Sequence, residues 1–447
     1  MNLNYLKQVN EPIFYITNDV GRGIGLEDIL PNYHIVCLDD HPLVNILEKN
    51  GVSVFCLERA LGKKNIMART SSAILSHPFV LSFIKEKASG KRPNILVFKP
   101  QKRVEILCKN HGFNLIGNST EINRTFEDKI SFFNLCKNYG LTVPEGEILE
   151  NLSLANYGSL SEKYGETVVI QFGRGWAGNS TYFIKSEKEL VRVKEIFSGR
   201  IKVSRFIKGT TILNNAVVYE DSILISKPAL QVKADPRITS SSGGTGGRQW
   251  PVKLDGGQEN MIGELTEKTG RIMREKGYKG FFGLDFLAEE NTGKIFLSEN
   301  NARLTASVPF YTKLELKSGY FPLLGYHLLS FFPELKIKPS LGEPAAVFGG
   351  EIVVRNNQAF SVKADGCFNP GIYDKKLNFV KELPYLMTQN YNDLWINAIA
   401  QGRIANPEIE IIKLNTFSEI CEKNGVLKNE YFDIVEEIRK KLALKQC

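Results

Sequence analysis

The chain is poor in the features that would staple it, chelate a metal or carry it across a membrane. Its seven cysteines, at positions 37, 56, 108, 136, 367, 421 and 447, are scattered and form no Cys-x-x-Cys pair. That spacing argues against a disulfide framework and a zinc site, and makes a reducing, cytoplasmic setting the simplest expectation. The amino terminus lacks a basic segment leading into an apolar run, so no signal peptide is expected. The nearest approach to a membrane span, Ser318–Pro333, is uncharged but interrupted by Pro322, Gly325 and His327. It is too short for a bilayer and reads as a buried helix, so no membrane partner is expected. Charge of one sign is not in large excess. A net charge of +8 suits anionic ligands such as nucleotides. Without an aromatic and basic recognition pattern it does not imply nucleic acid.

What is present is an ordinary globular composition, 43% apolar and 24% charged, over 447 residues. That length exceeds what one hydrophobic core usually serves, so several structural units are expected. Residues 1 to about 118 alternate short buried strands (13–16, 34–38, 52–55 and 94–98) with helical patterns such as Pro42–Glu48, the order of an open parallel sheet. Gly21-Arg22-Gly23-Ile24-Gly25 follows the first strand. Its third glycine comes one residue early for a dinucleotide fingerprint, so a tight connection is favoured over a phosphate cradle. Asp39, ending the second strand, is placed either to meet a ribose or to help cap the next helix.

The most informative stretch runs from Lys279 to Leu304. Apolar residues at Phe281, Phe282, Leu284, Phe286 and Leu287 lead into a polar turn at 289–294, and Ile295-Phe296-Leu297 follows. This is a hairpin pattern. Antiparallel pairing would bring Asp285 close to Glu299 and Asn301, two carboxylates and an amide oxygen on neighbouring strands. Such hard oxygen donors suit Mg2+, which keeps phosphate oxygens as co-ligands. Arg303, two residues on, would add a permanent positive charge on the same face.

Three other blocks precede it. Residues 116–148 comprise a strand end, a capped helix start, Asp128-Lys129, a helix stop at Gly140 and an extended Val143-Pro144 segment. The buried strand 167–172 ends in Gln171-Phe172 and runs into Gly173-Arg174-Gly175-Trp176-Ala177-Gly178-Asn179-Ser180-Thr181. A loop of glycines and small polar residues lets backbone N–H groups approach a polyphosphate without clash. Lys202 to Thr211 then joins two strand-like runs.

Asp285, the Glu299-Asn300-Asn301 run and Arg303 resemble the carboxy-terminal metal motif of the ATP-grasp superfamily. The other three blocks resemble, in order, the start of its nucleotide domain, its glycine-rich loop and its adenine hinge. The resemblance covers roughly residues 90–330. It implies ATP and two Mg2+ ions, with Asp285, Glu299 and Asn301 as metal ligands and Lys129 on the phosphates. It further implies nucleotide contacts from Gln171, Gly173, Gly175, Gly178 and Ser180, and from Arg205, Phe206 and Ile207 at the hinge. The sequence departs from the family at three points. Gln171 stands where many relatives have lysine, leaving Arg174 the nearest replacement charge, and Ser204 and Thr211 stand where glutamates are common.

The Ser/Gly-rich run 231–250 is either a disordered surface loop or a lid whose Lys233, Arg237 and Arg248 meet phosphate or a substrate carboxylate. An amphipathic helix with Tyr431, Ile434, Val435, Ile438 and Leu442 on one face closes the chain. The implied fold is α/β and α+β: a Rossmann-like pre-ATP-grasp domain (1–118), a two-lobed ATP-grasp domain (119–337, glycine-loop lobe about 165–210) and a small carboxy-terminal α+β unit (338–447). The implied reaction is ATP-dependent carboxylate–amine ligation through an acyl phosphate, with Arg303 and Arg248 catalytic. The partners would be a small-molecule or peptide carboxylate and an amine, with a homo-oligomer left open. Within the superfamily the motifs lean toward stand-alone peptide or amino-acid ligases, and Gly283 argues against a D-alanine substrate. The competing reading is a nucleotide-binding regulatory protein without ligase chemistry.

Overall fold

The architecture follows from where strands can bury two faces and where only one. The computed structural model describes residues 3–173, 181–339 and 344–447. Five strands near the amino terminus, β1 (Ile13–Thr17), β2 (Tyr33–Cys37), β3 (Ser53–Cys56), β4 (Asn94–Val97) and β5 (Asn114–Ile116), form a parallel sheet in the order β3-β2-β1-β4-β5. Its central strands β1, β2 and β4 are buried throughout, as a sheet covered on both faces requires. Strand order reverses between β1 and β4, and ligands of such sheets gather beyond the carboxyl ends at that point. Arg22 follows β1 there and Phe98 follows β4. The glycine run after β1 is a 3-10 turn (Val20–Gly23) whose N–H at Gly21 is capped by Asp19, a tight connection. Asp39 is engaged by Arg69 at 2.8 and 2.6 Å and by Arg403 at 3.2 Å.

A small lobe is built on an antiparallel sheet in the order β6 (Gly146–Leu149), β9 (Ile201–Arg205), β7 (Val168–Phe172), β8 (Thr181–Ile184). Val168, Ile170, Ile201 and Val203 point into its core. By strand alternation Gln171, Lys202 and Ser204 take the other face, against the helix Lys129–Asn138.

The third sheet has eleven strands. Its first part joins β10 (Gly209–Tyr219), β11 (Ser222–Ile225), β12 (Ala229–Val232), β13 (Gly247–Trp250), β14 (Gly280–Glu289) and β15 (Ile295–Asn301). The sheet continues through β13 into β16 (Gly349–Arg355), β22 (Glu410–Thr416), β20 (Leu394–Ala398), β18 (Gly371–Tyr373) and β19 (Phe379–Lys381). Three short strands, β17 (Val362–Ala364), β21 (Ile404–Ala405) and β23 (Leu444–Gln446), make a separate sheet. Residues past 348 thus extend the sheet that β10 to β15 begin. The run 231–250 is also built in: β12 and β13 pair with each other, and Glu408 holds Thr239 and Ser240 between them.

Phe282, Leu284 and Phe286 pack with Ile262, Ile272 and Met273 of the helix Gly256–Glu275 on one face of β14. On the opposite face lies the helix Leu323–Leu329, every residue of it buried, as the uncharged run predicts. Its His327 accepts the Phe281 N–H at 3.0 Å, and burial pulls the imidazole down to about 3. No helix among the described residues is long and apolar enough to cross a membrane.

Candidate functional site

The expected hairpin is β14 and β15, and its register contains an irregularity that matters. Phe286 pairs with Leu297, whereas the next pair is Asp285 with Glu299. Ser298 is therefore an extra residue, a β-bulge, which turns the strand over by one position. Phe296 and Leu297 already occupy alternate faces. Without the bulge Glu299 would follow Leu297 into the core; with it, Glu299 joins Asp285 and Asn301 on the open face. Asn300 takes the buried position instead, donating to the Met273 sulfur.

Lys129 reaches this face from the first turn of its helix. Asp128 caps that helix by accepting from Ile130 and Ser131, and the Lys129 N–H donates to Gly173 O at 3.0 Å. A β-carbon on Gly173 would lie 2.5 Å from an Asp128 oxygen, so only glycine lets the strand end meet the cap. So anchored, Lys129 Nζ donates to Glu299 Oε1 at 2.7 Å, and its side chain is almost fully buried.

Arg303 is held on three sides. Its Nε donates to Glu127 Oε1 at 2.8 Å, one terminal nitrogen to Asn301 Oδ1 at 2.8 Å and the other to Leu304 O at 3.0 Å. The guanidinium stacks over Phe98, 4.9 Å from the ring centroid, and Arg22 covers the same ring at 4.8 Å. Burial alone would raise the Glu127 carboxyl, but Arg303 and Lys99 hold it below the usual range. A guanidinium has five N–H donors. Three are used here, leaving two for a ligand.

Asp285 is pushed up to about 7, first by burial and then by the Glu299 charge, against the opposing pull of Lys129, Arg303 and Arg248. A carboxyl in that condition is short of nearby positive charge, which a divalent cation supplies. Asn301 presents its nitrogen to Asp285 Oδ1 at 3.3 Å and its oxygen to Arg303, so ligation through oxygen requires the amide to turn. Among the described residues no group of three His, Cys, Asp or Glu is placed to hold a metal ion by itself. Two carboxylates and an amide fit an ion completed by phosphate oxygens and water, as Mg2+ commonly is.

The remaining expected residues among those described have partners of their own. Gln171 is buried; its Nε2 donates to Thr181 Oγ1 at 3.1 Å and its Oε1 accepts from Lys202 at 2.9 Å. Arg205 pairs with Glu289 at 2.7 Å over Phe296, Phe206 is exposed beside Phe183, and Ile207 is buried. Arg248 is buried with its Nη1 3.2 Å from Glu351, and neither its Nε nor its Nη1 has a hydrogen-bond partner among the described residues. Arg174, Gly175, Gly178 and Ser180 lie outside the described residues. Of the run read as a loop or lid, Arg237 pairs with Asp235 and packs on Phe432, away from the centre, and Lys233 is exposed. At Gly283 a β-carbon would meet Thr305 at 2.5 Å, so no arginine fits there.

Sequence reasoning missed Lys202, Glu127, Phe98 and Glu351. Lys202 left a readable trace: Ile201-Lys202-Val203-Ser204 alternates, so its lysine shares a face with Ser204. The others come from distant segments and left none.

No family model matches the chain. Over 211 residues, 45% of its length, it is 23% identical to the carbamoyl phosphate synthase large chain of Deinococcus deserti, and equally to that of Deinococcus radiodurans. The aligned part spans 19% of those relatives. Solved structures match nearly the whole chain. The biotin carboxylase domain of Hydrogenobacter thermophilus 2-oxoglutarate carboxylase, a dimer in complex with MgADP, ADP and bicarbonate, aligns with 98% of this chain and 90% of its own (TM-score 0.61, 15% identity). For N5-carboxyaminoimidazole ribonucleotide synthetase of Thermotoga maritima the figures are 97% and 99% (TM-score 0.55, 13% identity). Phosphoribosylamine–glycine ligase of the same organism gives 97% of each chain (TM-score 0.56, 15% identity). With its parallel sheet and its large antiparallel sheet, and with these likenesses running over nearly its whole length, the chain has the ATP-grasp fold.

Proposed function

We propose that the protein is an ATP-dependent ligase that activates a carboxylate as an acyl phosphate and transfers the acyl group to an amine, releasing ADP and phosphate. The observation that carries this reading is the bulged pairing of Asp285 with Glu299, which sets two carboxylates beside Lys129 and Arg303 with no covalent nucleophile among them. Phosphoryl transfer asks mainly for position and charge neutralisation, which such a set supplies. Mg2+ held by Asp285, Glu299 and Asn301 would neutralise the nucleotide's phosphates. Lys129 then orients the phosphate chain. Arg303, fixed by Glu127 and Phe98, turns its two remaining N–H groups to the oxygen charge that develops during transfer. Arg248, buried with two nitrogens lacking hydrogen bonds, offers donors to the substrate carboxylate. Burying guanidinium N–H groups that make no hydrogen bond is costly, even beside the Glu351 charge, and an anionic ligand relieves that cost.

The neighbours that support this reading are described in complex with MgADP, ADP and bicarbonate, in complex with ADP, or as a phosphoribosylamine–glycine ligase. A small-molecule or peptide carboxylate and an amine are the substrates proposed for this chain. Cytoplasmic residence is proposed from its cysteines, all free among the described residues. The test is an ADP-release screen with Mg2+-ATP, pooled amino acids and small carboxylates, each hit identified by product mass. Substrate-dependent ADP release with a mass equal to the condensed pair supports the ligase. Nucleotide binding without ADP release under any pool would make the protein a nucleotide-binding regulator instead.

A further inference from the structure

Lys202 is a buried cation without an ion-pair partner among the described residues. It sits on β9, directly in register with Gln171 of β7 and Ile148 of β6, and only 3% of it is exposed. Its ammonium donates to Gln171 Oε1 at 2.9 Å and lies 5.0 Å from the centre of the Phe133 ring. Both partners are neutral. The helix packed against it carries Lys129, Lys137 and Cys136, and the Cys136 thiol, which burial pushes up to about 12, provides no anion. The carboxylate that acts on Lys202 is Glu299, which already receives Lys129 at 2.7 Å. Two ammoniums therefore share one carboxylate, and among the described residues no acid lies within ion-pair distance of Lys202. Burial, and then the Lys129 charge, pull the Lys202 ammonium down to about 8. A fold does not hold a lysine in that condition for stability, since a buried charge without a partner is costly.

The surroundings indicate what completes the charge balance. Gln171 accepts from Lys202 and donates to Thr181, so both ends of its amide are engaged and the ammonium is held at the Gln171 side chain. The charges that act on the Lys202 ammonium are those of Lys129 and Glu299, so it stands beside the Lys129–Glu299 pair of the candidate site. We propose that Lys202, held by Gln171, is a direct ligand of the nucleotide's phosphate chain, a second ammonium beside Lys129. The inference rests on the ATP-dependent reading above and assigns part of its phosphate recognition to two strands, Gln171 orienting and Lys202 binding. The ligand class is a nucleoside polyphosphate, and the contact discriminates by phosphate number.

The experiment measures dissociation constants of ATP, ADP and AMP, with Mg2+, for the full chain and three variants. Lys202→Met should weaken ATP by about 10- to 100-fold, the range of one hydrogen bond to a charged group. AMP should weaken by far less. Lys202→Arg should recover part of the loss, and the exchange variant Gln171→Lys with Lys202→Gln should recover most of it by restoring one ammonium and one amide to the same pair of positions. ATP affinity unchanged in Lys202→Met overturns the inference alone. So do equal losses for ATP and AMP, because a merely structural lysine would not distinguish phosphate number. If the unaltered chain binds no adenine nucleotide, the ligase reading falls first and the inference falls with it.

Discussion

Replacing Lys202 by methionine should stabilise the nucleotide-free protein. The ammonium is held at about 8 rather than 10.5, and the side chain is almost wholly buried, so little solvent screening applies. A depression of that size corresponds to about 3 kcal/mol by which the folded state disfavours the charged form. Methionine matches the length of the stem and fills the space between Phe133 and Gln171 without a charge. The gain is at most that amount, because the hydrogen bond to Gln171 and the contact with Phe133 are lost. Hydrogen exchange of the β7 and β9 amides reads the small lobe by itself, which a single unfolding midpoint for a multidomain chain does not. Slower exchange in the variant at pH 7 is the expected outcome. The pH dependence has a defined sign. Since the folded pKa lies below the unfolded one, the destabilisation is complete below about pH 8 and vanishes as pH rises from there to 10.5. The stability difference between variant and unaltered protein should therefore shrink across that window. Faster exchange in Lys202→Met at pH 7 would refute the reasoning, because the ammonium would then be a net stabilising group and not one awaiting an anion.

Three further outcomes are expected. Glu299→Ala should abolish substrate-dependent ADP release while circular dichroism stays that of a folded protein; retained turnover removes the metal assignment. Arg303→Ala should lower kcat by about two to three orders of magnitude, typical of losing one such donor, while ATP affinity changes little. A parallel collapse of ATP affinity would make Arg303 a ground-state contact. Asp285, raised to about 7, should make the metal-free protein progressively less stable as pH rises from about 4 through 7. Mg2+ should accordingly raise Tm at pH 7.5, and Asp285→Asn should lose that rise; a Tm indifferent to Mg2+ in both proteins counts against the site.

The sequence by itself determined the local elements and their order. Apolar runs bounded by turns define β14 and β15, and a buried lysine-bearing helix start after Asp128 is legible because caps and hydrophobic periods are local properties. The alternation of short buried strands with helical patterns likewise identifies the parallel sheet, since both faces of such strands must be apolar. Tertiary structure decided what faces what. The bulge at Ser298 cannot be read from Ile295 to Asn301, yet it alone turns Glu299 outward beside Asp285. Lys202 and Gln171 are thirty-one positions apart and meet only because β7 and β9 pair in that register. Phe98 and Glu127 clamp Arg303 from the amino-terminal units, and Arg248 finds Glu351 because β13 pairs with β16 and extends the sheet beyond residue 348. Composition and period report the environment each residue requires. They do not report which distant segment supplies it, because strand register and sheet order are set by packing across the whole chain.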